Sequence, residues 1–292
     1  MNNARRERII DELEAAAWIA DGMTIAIGQP APMAAIRQII RRNVQGLTVV
    51  DAGFSLDMLV AAGCVRKVIS YYMGGGFGNP VTPMVRAAAQ RGELEIWECE
   101  EGVVCAGLQA AAQMLPFVPW RGGVGTSLPE VNRDLKIFKD PLRGETLIAV
   151  PPIKPDVAIL HAASADPYGN VQHLGGPGWL DLFMYRAADR VIVQVEKVIS
   201  NEELRADPWK TTIPAADAIV RAPYGAHPFY SRGHYVQDSE YLRAYNDVAG
   251  SAATGDNKAL SAWLDRYCRQ PETHADYLER IGIKRLLSLY EY

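Results

Sequence analysis

Asp21-Gly22-Met23-Thr24-Ile25-Ala26-Ile27-Gly28-Gln29-Pro30 decides how this chain folds. The Asp-Gly pair ends a helix, because glycine readily takes the left-handed backbone that closes one. A short apolar run follows, bounded by glycine and proline, which marks a buried strand. Upstream, residues 4–20 place Ile9, Leu13, Ala16 and Ala20 on one helical face. Downstream, beyond the proline-containing loop 28–32, Ile36, Ile39 and Ile40 recur at helical spacing.

The same alternation runs on. Strands are expected at 47–50, 68–72 and 94–97, between helices at 56–62, 82–91 and 102–113. Later strands are expected at 146–150, 156–161 and 191–196. Short apolar strands alternating with helices specify an α/β fold, an open, mainly parallel sheet with helices on both faces. From Asp238 onward the pattern is helical, charged and aromatic. The expected division is an α/β domain over 1–237 and a helical C-terminal extension over 238–292, packed on that domain or on a partner.

In such sheets ligands bind beyond the carboxyl ends of the strands. Four loops there carry unusual residues: Gly28-Gln29-Pro30, Gly74-Gly75-Gly76, Glu98-Cys99-Glu100-Glu101-Gly102, and Arg121-Gly122-Gly123-Val124-Gly125-Thr126-Ser127. Their shared placement points to one site.

Composition excludes several classes. The net charge is -4 and no basic run or basic-aromatic interleaving occurs, so nucleic acid is not an expected partner. No apolar stretch approaches the roughly 20 residues that span a bilayer, and the start of the chain lacks a signal peptide's apolar stretch. The four cysteines, at 64, 99, 105 and 268, form no C-x-x-C pair, which fits a reducing cytoplasm. The phosphate-loop, G-x-G-x-x-G, G-x-S-x-G and H-E-x-x-H patterns are missing. His161, Asp166 and His173 match no standard metal spacing.

Several segments carry a family resemblance. Glu101-Gly102-Val103-Val104-Cys105-Ala106-Gly107-Leu108-Gln109-Ala110-Ala111-Ala112 and Pro116-Phe117-Val118-Pro119-Trp120-Arg121-Gly122-Gly123-Val124-Gly125-Thr126 are two of them. Pro155-Asp156-Val157-Ala158 with Ala165-Asp166-Pro167-Tyr168-Gly169-Asn170, and Ala222-Pro223-Tyr224-Gly225-Ala226-His227-Pro228, are two more. In this order they resemble the A (alpha) subunits of class I coenzyme A transferases of the glutaconate CoA-transferase type. The 21–28 segment resembles that family's opening, although Gln29-Pro30 stands where the family has Gly-Phe. The match covers about residues 18–230 and is specific for the family rather than for a substrate.

The resemblance implies a two-subunit enzyme that moves CoA between an acyl-CoA and a carboxylic acid. A glutamate of the B (beta) subunit would be the nucleophile and carry the CoA thioester intermediate. The B-subunit signature S-E-N-G is absent from this sequence, so that nucleophile is expected in trans. The CoA thioester is then a substrate, and no cofactor is permanently bound. Gly74, Gly75, Gly76, Gly122, Gly123 and Gly125 are candidates to bring backbone N–H groups against an acyl oxygen, with Gln29 beside them. Arg121 could clamp a substrate carboxylate, or pair with Glu100 or Glu101. The region also resembles the A subunits of hydrolases that open rings in steroid-derived acyl-CoAs, which implies a catalytic role for Glu101. The bland reading of Glu101 is a charge favoured at a helix N-terminus. A non-enzymatic effector-sensing module is disfavoured, because no basic recognition helix follows the first helix.

Overall fold

The computed structural model describes residues 6–50, 54–74 and 82–290. Twelve strands occur among them: β1 (Thr24–Ile27), β2 (Leu47–Val50), β3 (Val65–Ile69), β4 (Glu95–Ile96), β5 (Val118–Trp120), β6 (Lys136–Lys139), β7 (Thr146–Val150), β8 (Val157–Ala165), β9 (Val171–Gln172), β10 (Arg190–Val198), β11 (Thr211–Ile213) and β12 (Ala218–Arg221). The main sheet runs β4-β3-β2-β1-β8-β10-β12 with every neighbour parallel. β9 and β11 add an antiparallel flap to β8.

The chain winds outward from β1 in one direction and, after returning at β8, outward in the other. The switch point therefore lies between β1 and β8. β1 shows why the sheet is buried on both sides, since successive side chains point to opposite faces. Ile25 and Ile27 enter one core with Ile36, Ile39 and Ile40 of helix Met33–Arg41. Ala26 enters the other with Val104 and Leu108 of helix Glu101–Ala112. β8 repeats the pattern, with Val157 and Ile159 on the first side and Ala158 and Leu160 on the second. This is the expected α/β architecture.

The tail is helical, with helices Ser239–Ala253, Asn257–Leu264, His274–Ile281 and Ile283–Ser288. Leu242, Tyr245, Ala249, Leu260 and Trp263 join the first core, and the Tyr245 hydroxyl donates to buried Asp57 at 2.8 Å. Asp57 also accepts the Met84 and Val85 N–H groups, both at 2.8 Å, so the tail is tied to the helices flanking β2 and β3.

Three elements depart from the sequence reading, the first being the strand expected at 68–72, which lies earlier, at Val65–Ile69. The strand at 146–150 exists but pairs antiparallel with β5 and β6 in a separate three-stranded sheet. The helix expected over 4–20 is only Glu12–Ala16 within the described residues. Its upstream part is extended: Ile10 N–H donates to Ile219 and Ile219 N–H to Arg8, at 3.0 and 2.8 Å. The open edge of β12 offers backbone partners that outweigh a weakly amphipathic helical turn, and Asp11 starts the helix later by accepting the Glu14 N–H at 2.7 Å.

Candidate functional site at the sheet switch point

Two adjoining cavities open at the carboxyl ends of the central strands, and the exposed Gln29, just after β1, lines both. The first is polar, of about 100 Å³, between the post-β1 loop, the second half of β8, the loop 173–178 and residues 230–232. The second is apolar, of about 30 Å³, walled by Ile27, Val50, Ile69, Tyr71, Val104 and Trp179, with Asp181 also at its surface. This is where the winding of the sheet predicts a ligand.

Under the polar cavity lies a buried network. Gln194 settles its protons: its carbonyl accepts the Ala35 N–H at 3.3 Å, so its NH2 donates to His161 Nδ1 at 2.9 Å. The His161 proton therefore sits on Nε2, which faces Glu196 Oε1 at 3.0 Å and Ser231 Oγ at 3.2 Å. Serine, histidine and glutamate meet here without forming a nucleophilic triad, because acid and hydroxyl share the protonated nitrogen of His161, and the second histidine near Ser231, His234 at 3.5 Å, approaches through Nδ1, whose proton goes to the Arg232 carbonyl at 3.2 Å. Burial pushes Glu196 up, but His161, the Tyr235 hydroxyl and the Tyr224 N–H outweigh it and hold the carboxylate below its ordinary range. The network braces β8 against β10.

Glu100 and Glu101 divide two roles. Glu100 caps the helix, accepting the Gly102 N–H and the Trp120 indole N–H, each at 2.8 Å. The indole lies so close that a Cβ on Gly102 would meet it at 2.1 Å and one on Gly122 at 2.3 Å. Both glycines thus make room for Trp120, which joins the helix start to the loop 121–125. Glu101 is exposed and makes no side-chain hydrogen bond or ion pair among the described residues. One turn on, Val104 lines the apolar cavity. Burial and the Glu101 and Glu100 charges push the Cys105 thiol up, and its side chain meets Trp179, 66% exposed at the cavity rim.

The other expected residues are placed as follows. Gly74 packs beside the Tyr72 ring, while Gly75 and Gly76 lie outside the described residues. Gly123 and Gly125 adopt φ of 80° and 81°, so their turns favour glycine. Arg121 forks onto Glu145, at 2.6 Å for the shorter contact, rather than onto Glu100 or Glu101, and is 71% exposed. The geometry thus gathers Gln29 and the Glu101 helix start at the cavities and sets Arg121 on the small sheet. Asp181 and Trp179 were not anticipated. Their only signal is the run Gly175-Gly176-Pro177-Gly178 immediately before them.

A doubly wound sheet with cavities at its switch point defines a small-molecule-binding α/β domain. The chain belongs to the coenzyme A transferase family, whose model matches residues 11–222. It is 33% identical to the A subunit of the 3-oxoadipate CoA-transferase of Pseudomonas knackmussii over 91% of this chain and 94% of that one. It is 36% identical to the cholesterol ring-cleaving hydrolase IpdA subunit of Mycobacterium tuberculosis, over 90% and 93%. The crystal structure of glutaconate coenzyme A-transferase from Acidaminococcus fermentans superposes with a TM-score of 0.90 at 31% identity, covering 98% of this chain and 96% of that one. An uncharacterised protein of Archaeoglobus fulgidus is longer: the chain, 34% identical to it, spans 62% of its length. The resemblance read from the motifs is borne out at the level of the family and its fold. No helix among the described residues is long and apolar enough to cross a membrane.

Proposed function

We propose that this chain is the A subunit of a two-subunit enzyme that transfers CoA between an acyl-CoA and a carboxylic acid. The covalent glutamyl-CoA intermediate forms on the B subunit. The supporting observation is the apolar cavity at the strand ends. Its walls, Ile27, Val50, Ile69, Val104 and Trp179 among them, suit the hydrocarbon part of an acyl group. Among the described residues lining it, none is a serine, cysteine or exposed carboxylate that would serve as nucleophile, so a partner's glutamate completes it. Glu101 precedes the cavity-lining Val104 by one helical turn, and the N–H groups of the loop 121–125 and Gln29 are candidate donors to the acyl oxygen.

A second reading, hydrolysis of the acyl-CoA, is favoured by one observation: Glu100 is consumed by Trp120 and Gly102, whereas Glu101 is exposed and makes no side-chain hydrogen bond among the described residues. Co-purification with the B subunit, followed by an assay with short acyl-CoAs in the presence and absence of a free carboxylic acid, separates the two. CoA moving to the added acid supports transfer. Free CoA released without an acceptor would overturn it in favour of hydrolysis.

Arg121 provides a further test. Its only partner among the described residues is Glu145, and both are exposed, so the pair adds little stability and the guanidinium is available to a substrate carboxylate. Arg121→Ala is expected to raise KM roughly tenfold for a carboxylate-bearing acyl-CoA, with kcat and the urea midpoint unchanged. An unchanged KM would remove Arg121 from the binding site.

A further inference from the structure

We propose that Asp181, on the wall of the apolar cavity, and His173, on the wall of the polar one, hold a single proton between them, and that Asp181 carries it as a neutral carboxylic acid. Asp181 is fully buried and lines that cavity. Its carboxyl accepts the Gln29 N–H at 3.1 Å and the Gly178 N–H at 3.2 Å. The site is built around it: a Cβ on Gly28 would lie 2.7 Å from Oδ1, and one on Gly178 2.8 Å.

His173 lines the polar cavity on the other side. The Thr212 hydroxyl donates to the Val171 carbonyl at 3.3 Å, so it accepts from His173 Nδ1 at 2.6 Å, and the ring proton is on Nδ1. Nε2 then carries a lone pair, is buried with no hydrogen-bond partner among the described residues and faces Asp181 Oδ2 at 3.8 Å. Two acceptors facing each other in a buried wall need a proton between them. Burial assigns it to the carboxyl, pushing Asp181 from its ordinary 3.8 up to about 7 and, with His161 nearby, His173 from 6.5 down to about 4. The other titratable groups around the pair are His161 with Glu196 behind it on β8 and β10, Arg232 across the polar cavity, and Glu101 and Cys105 on the helix packed against Asp181–Ala187.

Folding then moves one proton from imidazole to carboxyl. At about pH 5 to 6 the unfolded pair holds it on His173 and the folded pair on Asp181, so the pair adds no pH slope to stability. Each single variant breaks that balance. Relative to wild type, Asp181→Asn leaves the unfolded chain with one extra proton, and its unfolding constant should fall about tenfold per pH unit. His173→Gln leaves the folded chain with the extra proton, and its unfolding constant should rise about tenfold per pH unit. Urea unfolding of the full chain at several pH values reads both. Difference profiles that are flat, or of one sign, overturn the shared proton.

Discussion

Glu101→Gln is expected to cut hydrolysis of an acyl-CoA by about a hundredfold to ten-thousandfold, the range for removal of a general base. Transfer to a carboxylic acid should slow by less than about tenfold, because in the proposed transfer the attacking oxygen would belong to a glutamate of the B subunit. The asymmetry follows from what the two neighbouring carboxylates do. Glu100 is held by Gly102 and Trp120, so its lone pairs are committed and it holds the helix start in place. Glu101 points no side-chain bond at the protein among the described residues and sits one turn from Val104 of the apolar cavity. A base must reach a water at the thioester, and of the two only Glu101 is free to do so. Glutamine keeps the size and an acceptor oxygen, so the fold should be undisturbed and the urea midpoint unchanged. Measuring released CoA and transferred CoA side by side in the complex with the B subunit checks the prediction. If both rates survive, Glu101 is only a charge at a helix N-terminus.

Legibility in the sequence followed the range of the interactions involved. β1, β2 and the helices after them were readable because local pattern and burial agree: Ile25 and Ile27 face one core, Ala26 the other, and glycine and proline bound the run. Pairing partners were not readable. Residues 146–150 have the same apolar character as a central strand, and what puts them in the small antiparallel sheet is β5 and β6, with Ile137 opposite Ile148 and Phe138 opposite Leu147. The segment before Asp11 reads as helix but takes the hydrogen bonds offered by β12, which lies far along the chain and is invisible to periodicity.

The candidate site shows the same limit. Loops rich in glycine announced the carboxyl edge of the sheet, and Gln29 and the start of the Glu101 helix do meet there. The reason for particular glycines was not local: Gly102 and Gly122 yield space to Trp120, and Gly28 and Gly178 to Asp181. An aspartate in the first turn of a short helix reads as an ordinary helix-start charge. Only the fold reveals that it is buried against a histidine lone pair from another loop.

The tail supplies the second large effect. Asp238→Ala is expected to cost about 3–5 kcal/mol, the usual loss when one partner of a buried ion cluster is removed. Asp238 is 2% exposed and joins three segments. It accepts from His227 Nε2 at 3.1 Å and Arg285 Nε at 2.9 Å, and it caps helix Ser239–Ala253 through the Tyr241 N–H at 2.9 Å. His227 in turn meets the Tyr277 hydroxyl at 2.7 Å. Alanine would leave His227 buried against the positive Arg285 and Arg37 with no counter-charge. Burial raises Asp238, but Arg285 and His227 outweigh it and hold the carboxylate far below its ordinary 3.8. Below that value the unfolded chain takes up a proton that the folded chain refuses, so the stability this residue contributes is present at neutral pH and drains away in acid. His227 acts in the same direction from higher pH, since burial lowers it from 6.5 and the unfolded chain protonates first. The variant should therefore lie well below wild type in urea unfolding at pH 7 and approach it as the solution is acidified below about pH 4. Because helix Ser239–Ala253 reaches Asp57 through Tyr245, and Asp57 holds the start of helix Pro83–Gln90, loosening the tail should also disorder the carboxyl edge of β2 and β3, where the apolar cavity opens. A loss below about 1 kcal/mol, typical of exposed ion pairs, would mean that Arg285 re-pairs with Glu240, its other partner at 2.9 Å, and that apolar packing of Tyr245 and Trp263 holds the tail by itself.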